Sequence, residues 1–216
     1  MMKYPFKFAS YILLFSCTYY PTTQTHSKEH LIKQLYDIGV FKFGNFKLKS
    51  GKTSSFYIDL RLIISHPHIL TQVVECMKDT INGCTYDCIC GVPYSGLVVA
   101  TALSLAHQKP MILKRKETKT YGTQKMIEGV YKPGDRCLVI EDVITSGQSI
   151  LETIHELQNH NVKIDDVIIL IARAQSGIET VTHYGHTVHA VLTIQEIAQY
   201  LYANNLISFE QFCIIL

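Results

Sequence analysis

The chain has 216 residues, 47% of them apolar and 18% charged. That is enough for one large core, and it leaves no room for a second catalytic domain beside it. The composition excludes collagen-like and disordered chains. A net charge of +2 is too small for binding nucleic acid with the whole molecule. The expectation is a globular, cytoplasmic protein with no nucleic-acid or membrane partner, whose functional charges are local.

Residues 1–27 carry Lys3 and Lys7, an apolar run over 11–15, and Ser16-Cys17, which loosely resembles a lipoprotein cleavage site. The run is short for a signal segment and far below the roughly 20 apolar residues that span a bilayer. A poorly ordered extension is expected there, followed by a single domain over 28–216. Leu31, Ile32, Leu35 and Tyr36 recur at helical spacing, as do Ile69, Leu70, Val73, Val74, Met77 and Ile81 behind Pro67. Short apolar runs follow at 88–92, 111–113, 137–140, 167–172 and 188–192, with helix-like connections at 97–107 and 150–157. Runs of this kind suit parallel strands covered on both faces. The alternation predicts an α/β fold, a doubly wound, mainly parallel sheet flanked by helices. The last residues, Cys213-Ile-Ile-Leu216, formally fit a prenylation box, but a buried apolar tail ending a helix is the simpler expectation.

The seven cysteines, at 17, 76, 84, 88, 90, 137 and 213, contain no C-x-x-C pair and read as reduced core thiols. Cys84, Cys88 and Cys90 lack the spacing of a structural zinc site, and no second ligand pair follows them. His155 and His160 are five residues apart, which puts them on different faces of a helix. No protein-held metal is expected from these patterns.

Two segments carry the chemistry. From 114 to 134 the chain is polar, with Lys114, Arg115, Lys116, Lys119, Lys125 and Lys132 and little apolar periodicity. A lid or binding loop over about 115–129 is expected, against the plainer alternative of a solvated hairpin. Directly after it, Cys137-Leu-Val-Ile-Glu141-Asp142-Val143-Ile144-Thr145-Ser146-Gly147-Gln148-Ser149 sets a buried strand before two carboxylates, a short turn and an amphipathic helix. Ligands of open parallel sheets bind outside the carboxyl ends of the strands. Backbone N–H groups of the turn, the helix dipole and the hydroxyls of Thr145, Ser146 and Ser149 suit a phosphate. The carboxylates suit neutral hydroxyls, as on a sugar. Phosphate followed by diol describes a ribose 5-phosphate.

This run resembles the signature of the type I phosphoribosyltransferases, whose donor is phosphoribosyl pyrophosphate. Three further segments resemble orotate phosphoribosyltransferases: 43–61, with Lys49-Ser-Gly51 and Tyr57-Ile58-Asp59; Gly91-Val-Pro93-Tyr94-Ser95-Gly96; and Arg115-Lys116-Glu117-Thr-Lys119-Thr-Tyr121-Gly122. The likeness is closest to the orotate-converting half of the fused eukaryotic enzyme that makes uridylate. It implies transfer of the phosphoribosyl group to N1 of orotate, with magnesium held mainly through substrate oxygens. A small N-terminal hood, a flexible catalytic loop and a homodimer are implied as well. Glu141 and Asp142 would bind the ribose hydroxyls, and Val143, Ile144, Thr145, Ser146, Gly147, Gln148 and Ser149 the 5′-phosphate. Thr145 would also approach orotate. Lys49 would lie beside the reacting end of the donor, with Tyr57 and Ile58 filling the orotate-facing backbone positions and Arg173 gripping the orotate carboxylate. Tyr94 and Ser95 would line the pyrophosphate turn. Arg115, Lys116 and Lys119, with Asp142, would be the catalytic groups, the loop acting on the neighbouring subunit's site and bringing Tyr121 with it.

Three departures accompany the resemblance. Tyr121 replaces a histidine common in bacterial relatives, Ser95 replaces a basic residue, and Ala172 and Ala174 flank Arg173 where relatives place acids, leaving the arginine less buttressed. Two rival readings remain open: a transferase for another nucleobase, and a non-enzymatic regulator that senses phosphoribosyl pyrophosphate.

Overall fold

A computed structural model describes residues 28–47, 51, 53–115 and 126–216. Lys49, Lys116, Lys119, Tyr121 and the extension over 1–27 lie outside the described residues. Helix α1 (Lys28–Asp37) leads into an antiparallel pair, β1 (Phe41–Lys47) and β2 (Thr53–Ile58). This pair, with Phe41 and Phe43 against Phe56, is the small hood. A short 3-10 turn over Leu60–Ser65 and α2 (Pro67–Thr80) follow, Pro67 sitting in the first helical turn, where its missing N–H costs nothing.

The main sheet begins with β3 (Cys88–Gly91), then α3 (Ser95–His107), β4 (Met111–Lys114), β5 (Ile127–Glu128) and β6 (Cys137–Ile144). It continues with α4 (Gln148–Asn159), β7 (Asp166–Ala172), α5 (Gln175–His183) and β8 (Thr187–Thr193), and the chain ends in α6 (Ile194–Ala203) and α7 (Phe209–Ile215). Strand order is β5-β4-β3-β6-β7-β8, parallel except for β5. Leu138, Ile140, Ile168 and Leu170 enter a core shared with α1, α2, α3 and α6, whereas Val139, Val167 and Ile169 enter one shared with α4 and α5. Both faces are therefore covered, as the uninterrupted apolar runs require. The described helices include none long and apolar enough to cross a membrane.

After β3 the chain winds toward β4, and after β6 it winds the other way, toward β7 and β8. The switch falls between β3 and β6, where an open α/β sheet offers its crevice.

Three expectations need correction. Strand β6 runs to Ile144, not 140, because Glu141, Val143 and Ile144 continue the register with Ile169, Ile171 and Ala172. The two carboxylates therefore belong to the strand and do not follow it. The polar loop is shorter than expected at its far end, where buried Ile127 pairs β5 with Lys114 of β4. The terminal tail is helical, but of its last four residues Ile215 alone is buried, and Cys213, Ile214 and Leu216 are exposed.

Candidate active site

The turn after β6 is held from beneath. Gly147 caps α4 in the left-handed region at φ 78°, a conformation that glycine adopts without steric cost. A Cβ there would stand 2.9 Å from both the Gly177 carbonyl oxygen and Val181, and a Cβ on Gly177 would overlap the Thr145 carbonyl. Two glycines thus let α5 pack directly under the turn. Thr145 and Ser146 are exposed above it. The backbone N–H groups of Thr145, Ser146 and Gly147 find no acceptor among the described residues, while that of Gln148 donates to the Ser146 hydroxyl oxygen at 3.4 Å. Free N–H groups at the start of a helix of three turns form an anion cradle.

Glu141 is 5% exposed. It accepts hydrogen bonds from the Ser149 hydroxyl at 2.8 Å and the Asp142 N–H at 3.1 Å. Burial, then the hydrogen bond and charge of Asp142, push its pKa up to about 9, which favours the protonated form of Glu141 near neutrality. Asp142 is half-buried, and its charge reaches Arg61. Glu141→Gln therefore tests the pair. A raised folded pKa favours folding fully below the unfolded value near 4.5, and that contribution is lost as pH climbs toward 9. Over pH 5–8 the parent should lose up to about 1.4 kcal/mol per pH unit relative to the glutamine variant. Urea unfolding at several pH values measures it, and a stability difference that does not vary with pH contradicts a neutral Glu141.

Arg173 follows β7, and its N–H donates to the Ile144 carbonyl at 3.1 Å, beside the turn. Its guanidinium Nη2 donates to Ser54 Oγ at 3.0 Å and to the Phe56 carbonyl at 3.2 Å, with the plane 5.8 Å from the Phe56 ring. The hood supplies the buttress that Ala172 and Ala174 do not. Burial lowers the Arg173 pKa, opposed by the Tyr57 phenol; an arginine stays charged under such a shift. Tyr57 stacks on Phe46 at 5.4 Å, and Ile58 is buried beneath it.

Sequence reasoning gave no role to Asp59, Arg61, Lys42 or Ser54. Asp59 is buried and pairs with Arg61 at 2.7 Å and Lys42 at 2.8 Å. The hydrogen bond from Arg61 holds its carboxyl below the ordinary range, against burial. The signal was present as Asp59-Leu-Arg61, where a carboxylate and a guanidinium two apart directly follow the end of a strand.

On the other side of the switch, Pro93, Tyr94, Leu97, Leu113, Arg115 and Glu128 line a hollow of about 450 Å³. Tyr94 is exposed, and Ser95 opens α3. Gly91 and Gly96 permit this turn, since a Cβ on Gly91 would lie 2.5 Å from the Gly96 carbonyl oxygen, and one on Gly96 2.7 Å from that of Ile140. Arg115 reaches Glu128 at 3.2 Å, so it stands at the hollow of its own chain.

A turn of free N–H groups at a helix start, an acid pair and a buttressed guanidinium along one sheet edge, under a hood, define an α/β protein with a candidate site for a phosphorylated sugar. Residues 63–200 match the family described as "Phosphoribosyl transferase domain", and the chain belongs to that family. It is 46% identical over 169 residues to uridine 5′-monophosphate synthase of Bos taurus, covering 77% of this chain and 35% of that one. It is 39% identical to an orotate phosphoribosyltransferase of Caenorhabditis elegans, covering 80% and 77%. Among solved structures, UMP synthase of Leishmania donovani superposes with a TM-score of 0.81 at 30% identity, covering 88% of this chain and 41% of that one. The chain thus spans 35–40% of the length of the first curated relatives it matches.

Proposed function

We propose that this chain is an orotate phosphoribosyltransferase, which joins N1 of orotate to C1′ of phosphoribosyl pyrophosphate and releases pyrophosphate, a step of pyrimidine synthesis. The observation that carries this reading is Arg173, buttressed by the hood and backed onto the strand that ends in the phosphate turn. A planar guanidinium suits a carboxylate, and a neutral purine has none to offer.

In this reading the N–H groups of Thr145, Ser146 and Gly147, with the Ser146 hydroxyl, hold the 5′-phosphate. Asp142 accepts from the ribose diol while neutral Glu141 keeps the anionic charge beside it low. The reaction passes through an oxocarbenium-like state and needs no nucleophilic side chain. Pyrophosphate leaves over the Tyr94–Ser95 turn, where Arg115 and the lysines of the loop, Lys116 and Lys119, offset the charge that develops. Lys49 and Tyr121 belong to the same constellation through the family resemblance. The donor set fits magnesium, a hard cation served by a part-exposed carboxylate such as Asp142 and by substrate oxygens. When bound, it would supply charge neutralisation on the leaving group. The active unit in this reading is a homodimer whose loops reach the partner's site. The compartment is cytoplasmic, which suits cysteines that stand unpaired throughout the described residues.

Purified protein given magnesium, phosphoribosyl pyrophosphate and orotate should remove orotate absorbance, with adenine, hypoxanthine and uracil as parallel acceptors. Preference for a purine would overturn the orotate assignment. A flat trace with every base, despite donor binding, would favour a sensor.

A further inference from the structure

At the amino ends of β7 and β8, about 20 Å along β7 from Arg173, three side chains from distant parts of the sequence meet. Cys84 lies in the turn between α2 and β3, Asp166 opens β7, and His189 is the third residue of β8. Cys84 Sγ stands 3.5 Å from His189 Nε2, and Asp166 Oδ1 stands 2.7 Å from the same nitrogen. The thiol is also within hydrogen-bond reach of Asp166. All three ligand atoms lie within 4.8 Å of one another.

The shared nitrogen decides what the cluster can do. In a cysteine nucleophile relay the carboxylate holds one imidazole nitrogen and the thiol the other. Here both approach Nε2, so no relay exists. One ring nitrogen cannot donate to a carboxylate and accept from a thiol at once, so with protons alone Nε2–H donates to Asp166, the thiol turns to the same carboxylate, and the approach of Cys84 to Nε2 is left weak. A cation can satisfy all three donors together. Tetrahedral zinc, with its usual bond lengths, places sulfur and nitrogen ligands about 3.5 Å apart and nitrogen and oxygen ligands about 3.3 Å apart. The first separation is already present, and the second needs Asp166 to withdraw by about 0.6 Å. Thiolate, imidazole and carboxylate form a borderline-soft set that selects zinc over magnesium or calcium.

The cluster opens on a hollow of about 470 Å³ lined also by Asn82, Arg136 and Asp165, which leaves space for a fourth ligand. The geometry points to a zinc-binding site formed by Cys84, Asp166 and His189, with water in the open position, which ties the turn after α2 to the starts of β7 and β8. On binding, the Cys84 thiol gives its proton to solvent, and the imidazole proton moves to Nδ1 as Nε2 takes the metal. The site stands apart from the phosphoribosyl chemistry, so its test does not depend on that reading.

Full-length protein, reduced and stripped of metal with a chelator, is titrated with zinc against a colorimetric chelator and with cobalt as a spectroscopic probe. One equivalent should bind, zinc should raise the melting temperature, and cobalt should show a thiolate charge-transfer band. Cys84→Ser should abolish that band, and His189→Gln should weaken zinc binding by about a hundredfold or more, with both variants matching the metal-free parent in circular dichroism. If one of them fails to fold, the other and the parent titration still decide. Failure of the parent to bind one equivalent, or equal binding by parent and folded variants, would show that the three side chains make only a hydrogen-bonded pair with a thiol beside it.

Discussion

Arg173→Ala should lower kcat/KM for orotate by about 10²–10³ while leaving binding of phosphoribosyl pyrophosphate nearly intact. The size is the lower part of the ~10²–10⁴ that corresponds to losing two hydrogen bonds to a charged group, each worth about 1.5–3 kcal/mol. Because Nη2 also holds Ser54 and Phe56, the substitution loosens the hood, and that effect must be separated. Uracil, which lacks the carboxylate, separates it. Turnover with uracil should change far less than turnover with orotate, so the ratio of the two kcat/KM values collapses. If both fall together, Arg173 acts on the hood alone and the carboxylate role is wrong. Ser54→Ala removes one buttressing bond and keeps the guanidinium, so it should reproduce a small part of the loss.

The second large effect is expected at Lys119, which lies outside the described residues. Lys119→Ala should lower turnover by about 10²–10³, the loss seen when one group stabilising a transition-state charge is removed. KM values for both substrates and the melting temperature should stay close to those of the parent. A turnover number within about threefold of the parent would contradict the role. The same variant tests action across subunits. Mixed dimers of the Lys119→Ala and Arg173→Ala chains hold one site with both groups intact if the loop reaches its neighbour, and neither parent variant has such a site. Recovery of activity on mixing supports that arrangement. Its absence, with mixed dimers demonstrated, assigns the loop to its own subunit, where Arg115 already stands beside Tyr94.

Much of this architecture is legible in the sequence because its signals are local. Parallel strands covered on both faces must be continuously apolar, so the five runs from 88 to 192 announce themselves, and Pro67 marks the start of a helix. The turn at Thr145-Ser146-Gly147 is local too, since one stretch of chain holds the strand, the acids, the cradle and the helix that follows. The extent of β6 was not legible: acidic Glu141 and Asp142 look like the end of a strand, and only the register with β7 carries the strand through them.

The sequence by itself determined the layered α/β class, the order of the five parallel strands along the chain, and the candidate phosphate turn, because each depends on neighbours a few residues apart. The tertiary structure alone decided which distant groups share an environment. It raised the pKa of Glu141 through burial, and set the buttress of Arg173 through a hood strand 117–119 residues away. It also brought Cys84 to His189 across 105 residues, a spacing that carries no metal-ligand pattern. Burial and the convergence of donors depend on distance in space, and a parallel sheet with long crossovers brings together groups far apart along the chain.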